Sequence, residues 1–295
     1  MAALTHALDA ERREQNDRAG RLSVYRAGQG APLLLVHSIN AAGSAYEIRP
    51  MFERYRASRR VFAPDLPGFG FSDRSRRRYD VRLYVDAVHD LVDRALEDTG
   101  ATAVDALALS LSSEFLARAA AERPERFRSL ALVTPTGFTA SSDQLRGPPG
   151  ATREMRSLAA VLEFPLWRSA LYRLLVTPAS IRYFLRRTWG SADIDPGLAA
   201  YDDTTTHQPG AENAPLAFLS GRLFSRDIRN VYEQLAMPVW LAHGTRGDFK
   251  DFRGAAWTRS RNNWRVQAFD SGALPHFEKP DPFFEAYDRF LNEIS

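Results

Sequence analysis

Residues 104–121 read VDALALSLSSEFLARAAA, and in this stretch a strand pattern passes directly into a helix pattern. The apolar run 104–109 is typical of a buried strand, and Ser110 follows it at once. The serine hydroxyl is therefore expected at the carboxyl end of a sheet, where open parallel sheets place their active sites. The sharp turn would also leave the NH group of Leu111 free to meet a developing oxyanion. A serine between a strand and a helix is more commonly a helix N-cap, so both interpretations stand on this stretch alone.

From Leu22 onward the chain alternates short apolar runs with longer amphipathic stretches. The apolar runs predict buried strands at residues 32–37, 61–66, 104–109, 129–134, 238–244 and 264–270. The amphipathic stretches predict helices, most clearly at residues 80–96 and 281–291. This alternation is typical of a mostly parallel sheet with helices on both faces. The charged N-terminal segment is interpreted as a helix outside this pattern.

The alternation stops between residues 137 and 231, where GPPG at residues 147–150 precedes a stretch rich in aromatic residues. The usual strand-to-helix connection has about two to six residues, so this longer segment is expected to carry helices of its own. We interpret it as a lid. The sequence thus predicts a core domain, residues 1–136 and 232–295, with an inserted helical cap, residues 137–231. The arginine-rich run 74–78 is interpreted as a solvated loop.

The composition is that of a globular protein, with 44% hydrophobic and 25% charged residues among 295. The 39 basic and 36 acidic residues give a net charge of +3, which is too even for a nucleic-acid-binding face. The absence of cysteine excludes disulfides and thiolate catalysis. Because neither a secretory signal nor a long apolar run is present, we expect a cytoplasmic protein without a membrane span.

Motifs of a known family occur in order along the chain. Residues 37–40 (HSIN) follow the first predicted strand, and residues 65–72 (DLPGFGFS) follow the second. Residues 108–112 (ALSLS) stand where a G-x-S-x-G nucleophile elbow would. Residues 272–276 (GALPH) place a histidine before the last predicted helix. On these motifs, the chain from residue 22 to its C-terminus resembles the α/β-hydrolase superfamily, which implies an α/β fold with an inserted helical cap.

The resemblance implies a catalytic triad in the chain order nucleophile, acid, histidine. Ser110 is then the nucleophile and His276 the base. Asp248 is the expected acid because it lies nearer to the end of the strand at residues 238–244, and Asp251 is the alternative. Each aspartate is also interpretable as an ordinary turn or helix-capping residue.

The resemblance also places the oxyanion hole at the NH groups of Ile39 and Leu111. Three small residues depart from the family pattern, because Ala108, Ser112 and Ser38 stand where glycines are usual. Glycine at the elbow accommodates a strained backbone and a close strand–helix approach. Alanine and serine are the smallest alternatives, so the turn is expected to be retained.

Other histidines receive different interpretations. The resemblance suggests buried, hydrogen-bonded structural roles for His37 and His243. His207, within the insertion, is interpreted either as a residue that reaches down from the lid or as a helix cap.

A serine at position 110, rather than a carboxylate, argues against the dehalogenase and epoxide-hydrolase chemistry of this superfamily. The expected activity is hydrolysis of a carboxylic ester or related acyl compound through an acyl-enzyme. The aromatic insertion favours an apolar or aromatic small-molecule substrate. The alternatives are carbon–carbon bond hydrolysis or acyl transfer by the same triad, and a ligand-binding protein that has lost catalysis. No dinucleotide, Walker or metal-ligand motif occurs, so no cofactor or metal is expected.

Overall fold

The computed structural model describes residues 3–294. The strands in this part of the chain are β1 (Glu11–Asp17), β2 (Gly20–Ala27), β3 (Pro32–Val36), β4 (Arg60–Asp65), β5 (Val104–Leu109), β6 (Phe127–Val133), β7 (Val239–Gly244) and β8 (Trp264–Phe269). The α-helices are α1 (Arg49–Tyr55), α2 (Val81–Thr99), α3 (Ser112–Glu122), α4 (Arg156–Leu162), α5 (Arg168–Leu175), α6 (Pro178–Trp189), α7 (Pro196–Thr206), α8 (Asn213–Leu219), α9 (Ile228–Gln234), α10 (Pro275–Glu278) and α11 (Pro280–Glu293). Short 3₁₀ helices occupy Ala45–Ile48, Pro124–Arg126, Ser142–Gln144 and Arg253–Ser260.

The strands form one sheet in the order β1-β2-β4-β3-β5-β6-β7-β8. The pairs β1/β2 and β2/β4 are antiparallel, and every other pair is parallel. The predicted α/β class and mostly parallel sheet are confirmed. The carboxyl ends of β3, β5, β6, β7 and β8 therefore meet at one edge of the sheet, which is where the candidate site lies.

Two apolar layers cover the faces of the sheet. Alternate side chains of β3 divide between them, because Leu33 and Leu35 pack with α1 and α11 while Leu34 and Val36 pack with α2 and α3. Both faces are buried, so the central strands read as continuous apolar runs rather than as an alternation. This is why the sequence predicts their positions to within two residues.

The N-terminal segment is a strand, and its interpretation as a charged helix is wrong. Residues Glu11–Asp17 form β1, which pairs only with β2 at the sheet edge. No residue of β1 is buried, so the strand carries the charged sequence ERREQND without an apolar face. An exposed edge strand of this kind has no hydrophobic period from which it could be recognised.

The helices α4 to α9 stand between β6 and β7 and form the inserted segment. A small apolar cluster of its own holds part of this segment together, made of Tyr172, Val176, Ile181 and Ala211. Other parts pack on the sheet layers, for example α9 through Ile228. Among the described helices, none has the length and apolarity that a bilayer crossing needs.

Candidate active site

Ser110 occupies a strained backbone position between β5 and α3. Its φ is +49°, which is uncommon for a residue other than glycine. The Ser110 NH donates to Val133 O at 2.9 Å, and its carbonyl accepts from Ser113 NH at 3.1 Å. Such a conformation costs about 1–3 kcal/mol and persists only where neighbouring structure imposes it. Here the hydrogen bonds to β6 and to the first turn of α3 fix it.

This geometry is not that of a helix N-cap. An N-cap residue has an extended backbone, and its side chain accepts a hydrogen bond from one of the first helical NH groups. Ser110 has a left-handed backbone, and the residue that precedes α3 is Leu111, which makes no side-chain cap. Within residues 3–294 no hydrogen bond is formed by Ser110 Oγ. The hydroxyl is partly exposed.

Two backbone NH groups beside Ser110 are without acceptors in the described part of the chain. They belong to Leu111, which follows the serine, and to Ile39, in the loop after the neighbouring strand β3. A hydrogen bond from Ser112 Oγ to His37 O, at 2.6 Å, joins the two loops. The serine at position 112 therefore ties the start of α3 to the end of β3.

The loop after β3 is anchored by a buried carboxylate. Glu47 accepts hydrogen bonds from Ser38 NH at 2.7 Å and Ser38 Oγ at 2.9 Å. The Asn40 side-chain amide donates to the same carboxylate at 2.8 Å. Burial raises the pKa of Glu47, and these hydrogen bonds oppose the rise. The Ser38 hydroxyl thus gives Glu47 a hydrogen-bond donor that a glycine could not provide. Because Glu47 binds both Ser38 and Asn40, it holds the residues on both sides of Ile39.

Replacing Glu47 by alanine is expected to lower the free energy of unfolding by about 3 kcal/mol, because buried donors on Ser38 and Asn40 lose their acceptor. Urea unfolding followed by circular dichroism measures this change. The matched control is Glu53→Ala, since Glu53 is exposed and pairs only with Arg49 on the same helix. The control is expected to stay within about 0.5 kcal/mol of the parent. Equal stabilities for the two variants would contradict the anchoring role.

His276 lies in α10 and is fully buried. Its Nε2 is 2.7 Å from the backbone oxygen of Glu47, while Nδ1 is buried without a hydrogen-bond partner. Burial lowers the pKa of His276 to about 4, and the bond to the Glu47 carbonyl opposes this shift. The imidazole is therefore neutral at pH 7. In this structure His276 contacts the anchored segment at Glu47 O and forms no hydrogen bond with Ser110 Oγ.

Neither Asp248 nor Asp251 contacts His276 in this structure. Asp248 is exposed, and its carboxylate pairs with Arg187 Nε at 2.5 Å. Asp251 accepts from Arg253 at 2.9 Å and from Ala140 NH at 3.1 Å. Arg253 and that backbone bond lower the pKa of Asp251. Both carboxylates form ion pairs with arginines and not with the imidazole.

The physical reason for the position of Asp248 is the close packing of the insertion on its loop. The NH of Asp248 donates to Arg187 O at 3.1 Å, next to the side-chain pair. Gly190 and Gly247 allow this approach, because a Cβ on Gly190 would collide with the backbone of Gly247. Thr188 O, near the end of α6, accepts a hydrogen bond from Ala273 NH at 2.9 Å. The insertion therefore contacts both the loop that contains Asp248 and the loop that precedes His276.

The remaining histidines are structural in their contacts. His37 is buried, accepts from Leu66 NH at 2.9 Å and lies 2.7 Å from Ser38 O, as expected. His243 contacts Gly244 O and stacks on a phenylalanine. His207 follows α7 and its Nδ1 is 2.6 Å from Asp203 O, so it closes a helix end and does not reach toward the sheet.

Two residues of this region escaped the sequence interpretation. Glu47 lies in a 3₁₀ helix, and nothing in the local pattern indicates that its carboxylate is buried. Arg187 lies 61 residues before its partner Asp248. Neither contact has a signal in the local sequence pattern, because each joins residues that meet only in the folded chain.

The chain belongs to the α/β-hydrolase fold family, whose model matches residues 31–217. A 2-hydroxymuconate semialdehyde hydrolase of Pseudomonas sp. (strain CF600) is 31% identical over 150 residues, which are 49% of this chain and 52% of that protein. The chain thus spans about half the length of this curated relative. Among solved structures, an epoxide hydrolase superposes with a TM-score of 0.74 at 21% identity over 97% of this chain and 99% of the other. A meta-cleavage product hydrolase from Pseudomonas fluorescens IP01 gives 0.70 at 19% identity over 94% and 96%.

Proposed function

We propose that the protein is a hydrolase that forms a covalent acyl intermediate on Ser110. The observation that carries this proposal is the strained serine at the carboxyl end of β5, with φ of +49° and no helix-capping role. Strain of this kind in a residue other than glycine clusters at functional sites. The unpaired NH groups of Leu111 and Ile39 are suitable donors for an oxyanion.

In the proposed reaction, Ser110 Oγ attacks a carbonyl carbon and its proton passes to Nε2 of His276. The resulting oxyanion accepts hydrogen bonds from Ile39 and Leu111. His276 then gives the proton to the leaving group, and water repeats the sequence to release the acid. In this structure Nε2 carries the ring proton, because the Glu47 carbonyl can only accept a hydrogen bond. Before this step His276 therefore has to leave the Glu47 carbonyl and move its ring proton to Nδ1, so that Nε2 can accept the serine proton. The imidazole is neutral at pH 7, so this is a change of tautomer and not of net charge.

Asp248 is the proposed acid partner of His276. Nδ1 of His276 is buried without a hydrogen-bond partner, and in the tautomer that the reaction needs it carries a proton that a carboxylate can accept. Asp248 reaches it only after release from Arg187, and solvent weakens this exposed ion pair. The insertion, residues 137–231, is proposed as a cap, because α6 holds Asp248 and α5 bonds to the loop after β3 through Tyr172 Oη and Ala41 O at 3.0 Å.

Asp248→Asn is expected to reduce kcat by about 10³-fold or more, since an amide cannot stabilise the imidazolium. Asp251→Asn is the matched control and is expected to retain kcat within about threefold, because its contacts are to Arg253 and Ala140. Steady-state rates for both variants on one ester substrate measure the difference. The opposite ranking would assign the acid role to Asp251, and two unaffected variants would exclude both.

The proposed substrate class is a carboxylic ester. The rings of Phe164, Trp167 and Phe184 in the insertion are exposed to solvent, so they do not support a preference for an apolar or aromatic acyl group. Hydrolysis of a carbon–carbon bond is the second candidate, because the curated relative is named a 2-hydroxymuconate semialdehyde hydrolase. Both reactions use the same serine. The sequence-derived preference for esters rests on the triad alone, whereas the carbon–carbon candidate rests on 31% identity over half of the chain.

A paired substrate panel tests the function. Aryl esters of graded acyl length are compared with 2-hydroxymuconate semialdehyde, at equal enzyme concentration and with product identification by mass spectrometry. Turnover of esters with trapping of an acyl adduct on Ser110 supports the proposal. Turnover of the semialdehyde alone supports the second candidate. Turnover of neither, together with ligand-induced thermal stabilisation, would indicate a binding protein.

A further inference from the structure

The outer surface of the insertion carries most of the exposed large apolar side chains in the described part of the chain. Ten such residues are exposed among residues 3–294, and eight of them lie within residues 155–184. These eight, here called the apolar patch, are Met155, Val161, Phe164, Leu166, Trp167, Leu174, Tyr183 and Phe184. Exposed apolar groups concentrated in this way mark a surface that binds something.

On α5 and α6 the exposed apolar residues lie on the solvent side of the helix. The helices α4, α5 and α6 pack one on the next, and on α5 the buried Tyr172 points inward to Ala41 O. Leu174 is two residues further on, which is about 200° around a helix, and it is 69% exposed. On α6, Tyr183 stands in the same relation to the buried Ile181. Each of these two helices therefore has one face packed against the protein and one face exposed to solvent.

The loop between α4 and α5 adds aromatic rings to the patch. Phe164 and Trp167 have ring centroids 4.3 Å apart, and Leu166 between them is 84% exposed. The indole NH of Trp167 donates to Val161 O at 2.9 Å, which fixes the ring in the exposed position. Tryptophan and phenylalanine held at a surface in this way are typical of segments that enter the interface of a bilayer.

The segment that carries the patch is rich in arginine. Residues 155–190 contain one acidic residue, Glu163, whose carboxylate is bound by Arg222 at 2.6 Å. The same segment contains six arginines, Arg156, Arg168, Arg173, Arg182, Arg186 and Arg187. Within residues 3–294, only Arg187 of these six has a carboxylate partner. Since the whole chain has 39 basic and 36 acidic residues, the rest of the chain carries more acidic than basic groups.

We propose that the outer face of the insertion binds the surface of a membrane that contains anionic phospholipids. The apolar patch enters the headgroup region. The exposed arginines that have no carboxylate partner within residues 3–294 bind lipid phosphates bidentately, namely Arg156, Arg173, Arg182 and Arg186. A second copy of the chain is a poorer occupant, because a two-fold interface would bring two arginine-rich faces together. Surface binding of this kind needs no helix that crosses the bilayer, and it is independent of the reaction proposed for Ser110.

Co-sedimentation of the whole protein with vesicles tests the proposal, using phosphatidylcholine alone and phosphatidylcholine mixed with phosphatidylglycerol. We expect binding to the mixed vesicles, weakened by salt, and little binding to the neutral ones. Arg173→Gln and Arg186→Gln should each weaken binding about fivefold. The double variant Leu166→Ser/Leu174→Ser should weaken it about tenfold.

The matched control is Val266→Ser/Arg289→Gln, which changes an exposed apolar and an exposed basic residue outside the insertion. It should bind as the parent does, and thermal melts confirm that each variant is folded. Equal binding of the parent to both vesicle types, or no binding to either, would overturn the proposal. A concentration-dependent dimer in sedimentation velocity would also overturn it, if the double leucine variant abolishes the dimer and the parent binds no vesicles.

Discussion

Ser110→Ala is expected to reduce kcat on an ester substrate by about 10⁵-fold, while the protein remains folded. The substitution removes the oxygen that forms the acyl bond, and the oxyanion donors of Ile39 and Leu111 leave only a residual acceleration over water. Alanine at the same φ of +49° keeps the strain, so the unfolding free energy should change by less than about 1 kcal/mol. Initial rates and a thermal melt on the same preparation measure both quantities.

Ser113→Ala is the matched control for this variant. Ser113 is buried in the first turn of α3, and its hydroxyl donates to Ala108 O in β5 at 3.2 Å. Its loss should cost about 1 kcal/mol of stability and little activity. If Ser113→Ala abolished activity and Ser110→Ala did not, the nucleophile would be misassigned.

The pH profile of kcat/KM is expected to rise through a midpoint near 4 and to be flat around pH 6 to 7. The base must be neutral to accept the serine proton, and burial lowers the pKa of His276 to about 4 in the free protein. Protonation therefore becomes significant only as the pH falls toward 4, well below the ordinary histidine value of about 6.5. His276→Asn is expected to reduce kcat by about 10⁵-fold, and its residual rate should no longer rise with pH around 4.

Stopped-flow rates between pH 3.5 and 8 would record the profile, with circular dichroism at each pH to exclude unfolding. His37 makes this check necessary, because burial lowers its pKa to about 4 as well. Its ring bonds only to the backbone of the loop after β3 and of Leu66, so its protonation disturbs folding and not proton transfer. A limb centred near 6.5 in a folded protein would show that His276 is solvated when it acts, in disagreement with its burial here.

The sequence predicted the parts of the molecule that depend on local pattern. The strands β3 to β7 are fully or largely buried apolar runs, and Ser110 follows one of them directly. The sequence also predicts β8, but as a buried strand, which is wrong because only its two end residues are buried. The family motifs also directed attention to Ser110, which follows β5, and to His276, which precedes α11. Their catalytic roles stay predictions. Local pattern could not predict β1, because an edge strand exposed on both faces carries no hydrophobic period.

The contacts of the candidate triad were beyond prediction for a different reason. They depend on residues distant in the chain, since Arg187 belongs to the insertion and Glu47 to the segment after β3. The departures at Ser38 and Ser112 had a structural explanation that sequence alone did not provide. Each hydroxyl forms a hydrogen bond that a glycine would lack, to Glu47 and to His37 O.

The most direct test of the account is covalent labelling of the whole protein with a fluorophosphonate, followed by intact-mass and peptide analysis. An activated serine attacks the phosphorus and retains the adduct. The account predicts one adduct per chain, located on the peptide that contains Ser110 and absent from Ser110→Ala and His276→Asn. Labelling of another serine, or ester turnover by a protein that takes no label on Ser110, would contradict the assignment of the nucleophile.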